Sequence, residues 1–155
     1  MSSEFQIVTD TATICVFDPA NLEHRLTDTI DWWSVPEDEL LELNLGNVII
    51  AALPRDGVYS VAIVEVVDDG AEHVIEANLN SKSGKIFIGA GEYISGDGMT
   101  FDIWGDDLSG KIVNVGPGNF RVSMSISNGT SISVKVVKTN HGAENTFDLP
   151  LELCD

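Results

Sequence analysis

Gly118-Asn119-Phe120-Arg121-Val122-Ser123-Met124-Ser125-Ile126-Ser127-Asn128-Gly129-Thr130-Ser131-Ile132-Ser133-Val134-Lys135-Val136-Val137-Lys138 is the stretch that decides the fold class. Phe120, Val122, Met124 and Ile126 alternate with Arg121, Ser123, Ser125 and Ser127, and beyond the break Ile132, Val134 and Val136 alternate with Ser131, Ser133 and Lys135. A period of two sends successive side chains to opposite faces of a sheet, so both arms read as strands with one apolar and one polar face. Opposed residues of a hairpin share a face, which demands a loop with an odd number of residues. The spacing predicts a three-residue loop, Ser127-Asn128-Gly129, with the glycine left-handed, Met124 facing Ile132 and Val122 facing Val134. In that register Arg121 opposes Lys135, and two like charges face to face imply an acidic neighbour on an adjoining strand.

The same grammar runs back to residue 47, as runs of Val, Ile, Ser and Thr broken by Gly, Asp and Asn every 8 to 12 residues or so. Asp56-Gly57-Val58-Tyr59, Ala90-Gly91-Glu92-Tyr93 and Pro117-Gly118-Asn119-Phe120 each set an aromatic two positions after a glycine, as a turn followed by a strand that starts inward. Ser83-Gly84-Lys85-Ile86 is echoed by Ser109-Gly110-Lys111-Ile112, which reads as hairpin punctuation because the spacings are too irregular for a solenoid. Val48 to Leu53 has no polar face and Val58 to Val67 is nearly continuous in apolar residues, which suggests central strands covered on both sides. Turns at Arg55-Asp56-Gly57 and Asp68-Asp69-Gly70 would make them antiparallel neighbours, with His73 to Leu79 next. Gln6 to Phe17 reads as one or two strands bent at Thr9-Asp10-Thr11. The expectation is one all-β domain over residues 1–155, an antiparallel β-sandwich or jelly roll with one or two short helices near the N-terminus.

Those helices belong to residues 18–46, the one long interruption of the strand pattern. Asp18-Pro19 offers a cap before a proline at the first helical position, and Ser34-Val35-Pro36-Glu37 a capping box for a second helix carrying Leu40 and Leu41. An insertion of this length in a sandwich is a natural seat for function.

Charge points to the same place. The chain of 155 residues has a net charge of −17, and 16 of its 25 acidic residues but only 2 of its 8 basic ones lie in the first 80 positions. Asp18, Glu23, Asp28, Asp31, Glu37, Asp38, Glu39 and Glu42 crowd into 25 residues relieved only by Arg25. Such a run is either a solvated face or a patch that steers in a basic protein. Trp32 and Trp33 bear on the choice: both could serve the core, or one could stand exposed as a binding hot spot. The contact candidates for a basic protein partner are therefore Asp31, Trp32, Trp33, Glu37, Asp38, Glu39 and Glu42.

The negative charge argues against nucleic acid and anionic lipid as partners. The longest apolar run, Asn47 to Pro54, is far short of a membrane span. Met1-Ser2-Ser3-Glu4-Phe5 has neither a basic region nor an apolar stretch, so the expected location is cytoplasmic. Cys15 and Cys154 then read as free thiols. No cofactor and no metal is expected. His24, His73 and His141 lack zinc spacing, and Asp97, Asp102, Asp106 and Asp107 sit in glycine turns without a calcium-loop pattern. Gly89-Ala90-Gly91 and Gly116-Pro117-Gly118 lack the helix and lysine of a phosphate loop, and no serine has a nucleophile-elbow context. A carbohydrate-binding module with Trp32 or Trp33 as its platform is the alternative from another class, and pairing of sheet edges between copies leaves a homo-oligomer open.

Val8-Thr9-Asp10-Thr11-Ala12-Thr13-Ile14-Cys15-Val16-Phe17-Asp18-Pro19 and Asp56-Gly57-Val58-Tyr59-Ser60-Val61, about an eighth of the chain, resemble small uncharacterised bacterial all-β proteins, some of them candidate toxin-immunity proteins. The first phrase departs from its usual form, which has a glycine where this chain has Ala12. The resemblance implies a bacterial cytoplasmic sandwich that binds and silences another protein. Together with the charge, it leads to the expectation of a non-enzymatic acidic binding protein, an immunity-type inhibitor of a basic toxin or nuclease.

Overall fold

The computed structural model describes residues 3–25, 32–65, 74–94 and 109–153. The strands are β1 (Ser3–Thr9), β2 (Thr13–Phe17), β3 (Val48–Ala52), β4 (Gly57–Ile63), β5 (Val74–Ser81), β6 (Lys85–Ala90), β7 (Gly110–Asn114), β8 (Gly118–Ser127), β9 (Ser131–Thr139) and β10 (Leu151–Glu152). One α-helix, α1 (Pro36–Asn44), and short 3-10 turns at Pro19–Arg25, Trp32–Ser34 and Gly91–Ile94 complete the described elements. The strands form two five-stranded sheets, β1-β4-β9-β8-β5 and β10-β3-β2-β6-β7. Between them lies one core, with Ile7, Tyr59, Val61, Leu79, Val122, Met124 and Val134 from the first sheet against Ile14, Val16, Ile49, Ile86 and Ile88 from the second. The protein is an all-β sandwich.

Its pairing departs from the expectation in instructive ways. Most neighbours are antiparallel, but β4 runs parallel to β9 and β10 parallel to β3. β3 and β4 are not neighbours: the turn at Pro54 to Asp56 carries the chain from the second sheet to the first. β5 pairs with β8 rather than β4. Apolar runs report burial, and burial is compatible with either sheet, so partnership could not be read from them. β3 is covered on both sides as expected, and so is β2, but β4 is not as expected: Tyr59 and Val61 point inward while Val58 and Ser60 are exposed. Gln6 to Phe17 does divide at Thr9-Asp10-Thr11, where the Thr9 and Thr11 hydroxyls donate to Glu92 Oε1.

The hairpin loop has odd length, as the alternation requires, but the register is displaced by two residues. Ser127 pairs with Ser131, Met124 with Val134 and Val122 with Val136, so the loop is Asn128-Gly129-Thr130. Asn128 and Gly129 both adopt positive φ, 55° and 73°, which is the twist that suits a tight hairpin, and Thr130 is the extra residue. Because the displacement is even, the inward set is unchanged. It also moves Arg121 away from Lys135 to face Val137, and Arg121 Nη2 lies 2.8 Å from Glu76 Oε2 on β5.

The outer face of the second sheet holds a second apolar cluster, Cys15, Phe17, Val48, Ile50 and Phe87, roofed by Leu22, Trp32, Tyr93 and Ile94. Of the described insertion residues, Leu22 and Trp32 thus cover this sheet from outside, with Trp33 packed against them. Phe87 lies at the centre of the cluster, with edge-on contacts to Phe17 at 5.9 Å and Tyr93 at 5.3 Å. Cys15 is a free thiol sealed in this cluster, and burial, reinforced by the Glu92 charge, pushes it well above its ordinary value. Cys154, Asp28, Asp31, His73, Asp97, Asp102, Asp106, Asp107 and the turn at Asp68-Asp69-Gly70 lie outside the described residues.

The C-terminal segment straps the sandwich from outside. The Asn145 side chain accepts from Asn78 N at 2.8 Å and donates to Asn78 O at 2.9 Å, occupying the free edge of β5 as a partner strand would. Asn44 and Phe147 exchange two more bonds, at 3.0 and 2.8 Å, which fix the segment to the end of α1.

Candidate functional site

Pro19–Arg25, Trp32–Ser34 and α1 converge around one buried carboxylate. Asp18 begins the insertion as its sequence suggests, its Oδ1 accepting from Ala20 N at 2.9 Å. Its other oxygen takes the Ser81 and Ser83 hydroxyls at 2.7 Å and Ser83 N at 2.8 Å, so this acid is a buried structural anchor. At α1 the expected capping box is absent: Val35 holds the cap position and makes no side-chain cap bond, and Pro36 opens the helix. Glu37, Asp38 and Glu39 in the first turn suit the positive end of the helix dipole.

Glu42 is fully buried. His24 Nε2 sits 2.8 Å from both its oxygens, Asn47 Nδ2 donates to Oε1 at 3.0 Å and Arg25 Nε to Oε2 at 3.3 Å. Arg25 also lies 3.4 Å from Asp38 Oδ1, and its guanidinium stacks 4.6 Å from the Trp32 ring centroid. A carboxylate without solvent is tolerable only when paired and hydrogen-bonded, and this network meets that condition. The lone base of the acidic stretch is therefore an internal counter-ion.

This arrangement sorts the sequence candidates. Trp32 is 2% exposed and Glu42 is buried, so both support the face from beneath and offer no surface to a partner or a sugar ring. Trp33 is half-buried against the second apolar cluster. Glu39 is half-buried too, and burial raises its carboxyl to about 7. Glu37 is exposed and Asp38 partly so, while Asp31 lies outside the described residues. Of the acids described in the stretch, Glu23 and Glu37 are exposed, Asp38 and Glu39 partly so, and Asp18 and Glu42 buried, a thinner field than composition alone suggests.

Sequence reasoning missed two residues here, Leu41 and Leu45, which are 52% and 50% exposed. At about 100° per residue, Glu37, Leu41, Leu45 and Asp38 fall in one outward arc of roughly 100°, while Glu39 and Leu43 share the opposite side. The signal was available in that spacing, but a leucine pair next to a helix start reads by default as core. Among the described residues no three His, Cys, Asp or Glu side chains come together as metal ligands, and no helix is long and apolar enough to cross a membrane. A groove of about 350 Å³ also opens where β4 parts from β9, lined by Ile63, Val64, Glu65, Lys135, Val136 and Val137.

The family described as "Family of unknown function (DUF6386)" matches residues 1–151. The chain belongs to that family. No curated protein matches the chain of this family member. Its fold is similar to that of ComJ from Bacillus subtilis, inhibitor of the DNA degrading activity of NucA, with a TM-score of 0.56 at 11% identity over 90% of this chain and 98% of that one. The crocagin biosynthetic gene J protein is similar to the same extent, with a TM-score of 0.55 at 11% identity over 90% and 98% of the two chains. At such identity the likeness is one of fold.

Proposed function

We propose that the protein is a non-enzymatic binding protein of inhibitor type, which silences a basic protein partner by covering it, and that a nuclease is the class of partner to test first. The observation that supports this most is the likeness of nearly the whole chain to a nuclease inhibitor, and the net charge of −17 supplies the matching electrostatics. Glu23 and Glu37, with the partly exposed Asp38 and Glu39, are the described carboxylates of the insertion that can meet cations at contact range. The remaining charge acts at longer range, raising the encounter rate with a positive surface. The mechanism is steric occlusion, with no bond made or broken in the partner.

The test is a DNA-cleavage assay with a panel of purified basic nucleases, followed for any that is inhibited by association kinetics at low and high salt. Stoichiometric inhibition with an association rate that drops about tenfold or more over that range is expected. Inhibition of none of the panel would overturn the nuclease reading, and a salt-independent rate would overturn the steering.

A further inference from the structure

The outward arc of α1 carries more apolar surface than a solvated helix needs. Its inward side is already occupied: Leu43 packs in the main core and Glu42 is matched by His24, Arg25 and Asn47. Leu41 and Leu45, one turn apart, are left half exposed between Glu37 and Asp38. The Asn44 and Phe147 bonds hold the strap at the helix end, beside this arc, and leave the arc itself uncovered. Single exposed leucines are ordinary, but leucines at i and i+4 bracketed by carboxylates form a patch of defined chemistry.

We propose that this arc is a composite docking surface for a cationic amphipathic segment of a protein partner. Leu41 and Leu45 would receive its apolar side, and Glu37 and Asp38 its lysine or arginine heads. The inference rests on the reading of the protein as a binder of basic proteins. Charge selects the occupant: a second copy of this chain would bring carboxylates against carboxylates, and an anionic lipid surface would be repelled. Lysine and arginine suit the patch best, since their stems can lie along the leucines while their heads reach the acids.

The test uses the full chain with labelled leucine methyls, titrated by NMR with a leucine-lysine amphipathic peptide, with oligolysine, and with the same amphipathic peptide carrying Gln for Lys. The mixed peptide is expected to shift the Leu41 and Leu45 methyls saturably and more tightly than either control. The double variant Leu41→Ser/Leu45→Ser should bind about tenfold more weakly, mostly through faster dissociation. Glu37→Gln should instead slow association about twofold and flatten its salt dependence. Both sites are exposed, so circular dichroism should show an unchanged fold. Shifts centred elsewhere, or oligolysine or the neutral peptide binding as tightly, would overturn the proposal. So would a nuclease inhibited equally by the parent and the Leu41→Ser/Leu45→Ser variant, although the inhibitor reading would then stand. Peptide docking on α1 with no nuclease inhibited would have the reverse meaning.

Discussion

Glu42 has no solvent contact, so it has to be matched from within, and what matches it comes from a separate turn of the chain, His24 and Arg25, as well as from Asn47. Replacing Arg25 with methionine keeps the stem over Trp32 but leaves the carboxylate short of its permanent cation. We expect Arg25→Met to lower unfolding free energy by about 2 to 3 kcal/mol in urea titrations, somewhat below the usual cost of breaking a buried pair because His24 and Asn47 remain. A loss under about 0.5 kcal/mol would mean that the pair contributes little beyond contact. Glu39 gives a second, pH-dependent test. Burial lifts its carboxyl from 4.5 to about 7, so the folded chain holds the proton more tightly than the unfolded one. Its contribution to stability is fully present below about 4.5 and is lost as pH rises through about 7. Glu39→Gln should remove that slope and exceed the parent at pH 8 by an amount on the order of 1 kcal/mol, kept small because the carboxyl is partly solvated. Urea midpoints of both proteins at pH 5 and 8 check the sign. A variant less stable than the parent at pH 8 would contradict it.

The end of α1 is where an element depends most on one residue. Gly46 N donates to Leu43 O and Asn47 N to Glu42 O, both at 3.0 Å, the paired bonds of a left-handed helix stop. Gly46 has φ of 79°, and a Cβ there would lie 2.2 Å from Ala143 O, so the helix stop and the strap both require glycine. Gly46→Ala should cost about 2 to 4 kcal/mol, the left-handed penalty plus displacement of the strap. Gly142→Ala, where nothing lies within 4 Å, is the control and should be near neutral in thermal melts. At the bend after β1, Ala12 takes φ of 51°, a region where glycine sits without strain. The glycine that stands there in the usual form of this phrase therefore has a backbone reason. The hairpin shows how far pattern alone reaches. Alternation fixed the inward set and the odd loop, but loops of Ser127 to Gly129 and Asn128 to Thr130 satisfy both conditions. Two left-handed residues at Asn128 and Gly129 then decided between them.

At the scale of the molecule, a net charge of −17 opposes compactness. Because the Arg25 and Glu42 pair is shielded from solvent, added salt should weaken the repulsion more than the attraction. Raising NaCl from about 10 mM to about 0.5 M should therefore raise Tm by several degrees. A flat or falling Tm would show that the charges already balance locally. The division of labour between sequence and tertiary structure follows from range. Strand existence, the inward faces of β8 and β9, the bend at Thr9 to Thr11 and the place of the non-strand insertion were set by local periodicity and turn chemistry, which act within a few residues. The candidate site was legible only as a region. That Trp32 and Glu42 turn inward, that Arg25 is matched to them, and that Leu41 and Leu45 are left outside follows from α1 packing against β3 and the Trp32–Ser34 turn with Leu43 in the main core. The partnership of β3 with β10 and β2, and of β4 with β9, is likewise a matter of which sheet each strand joined. One apolar pattern buries equally well against either layer, so only the assembled sandwich could choose.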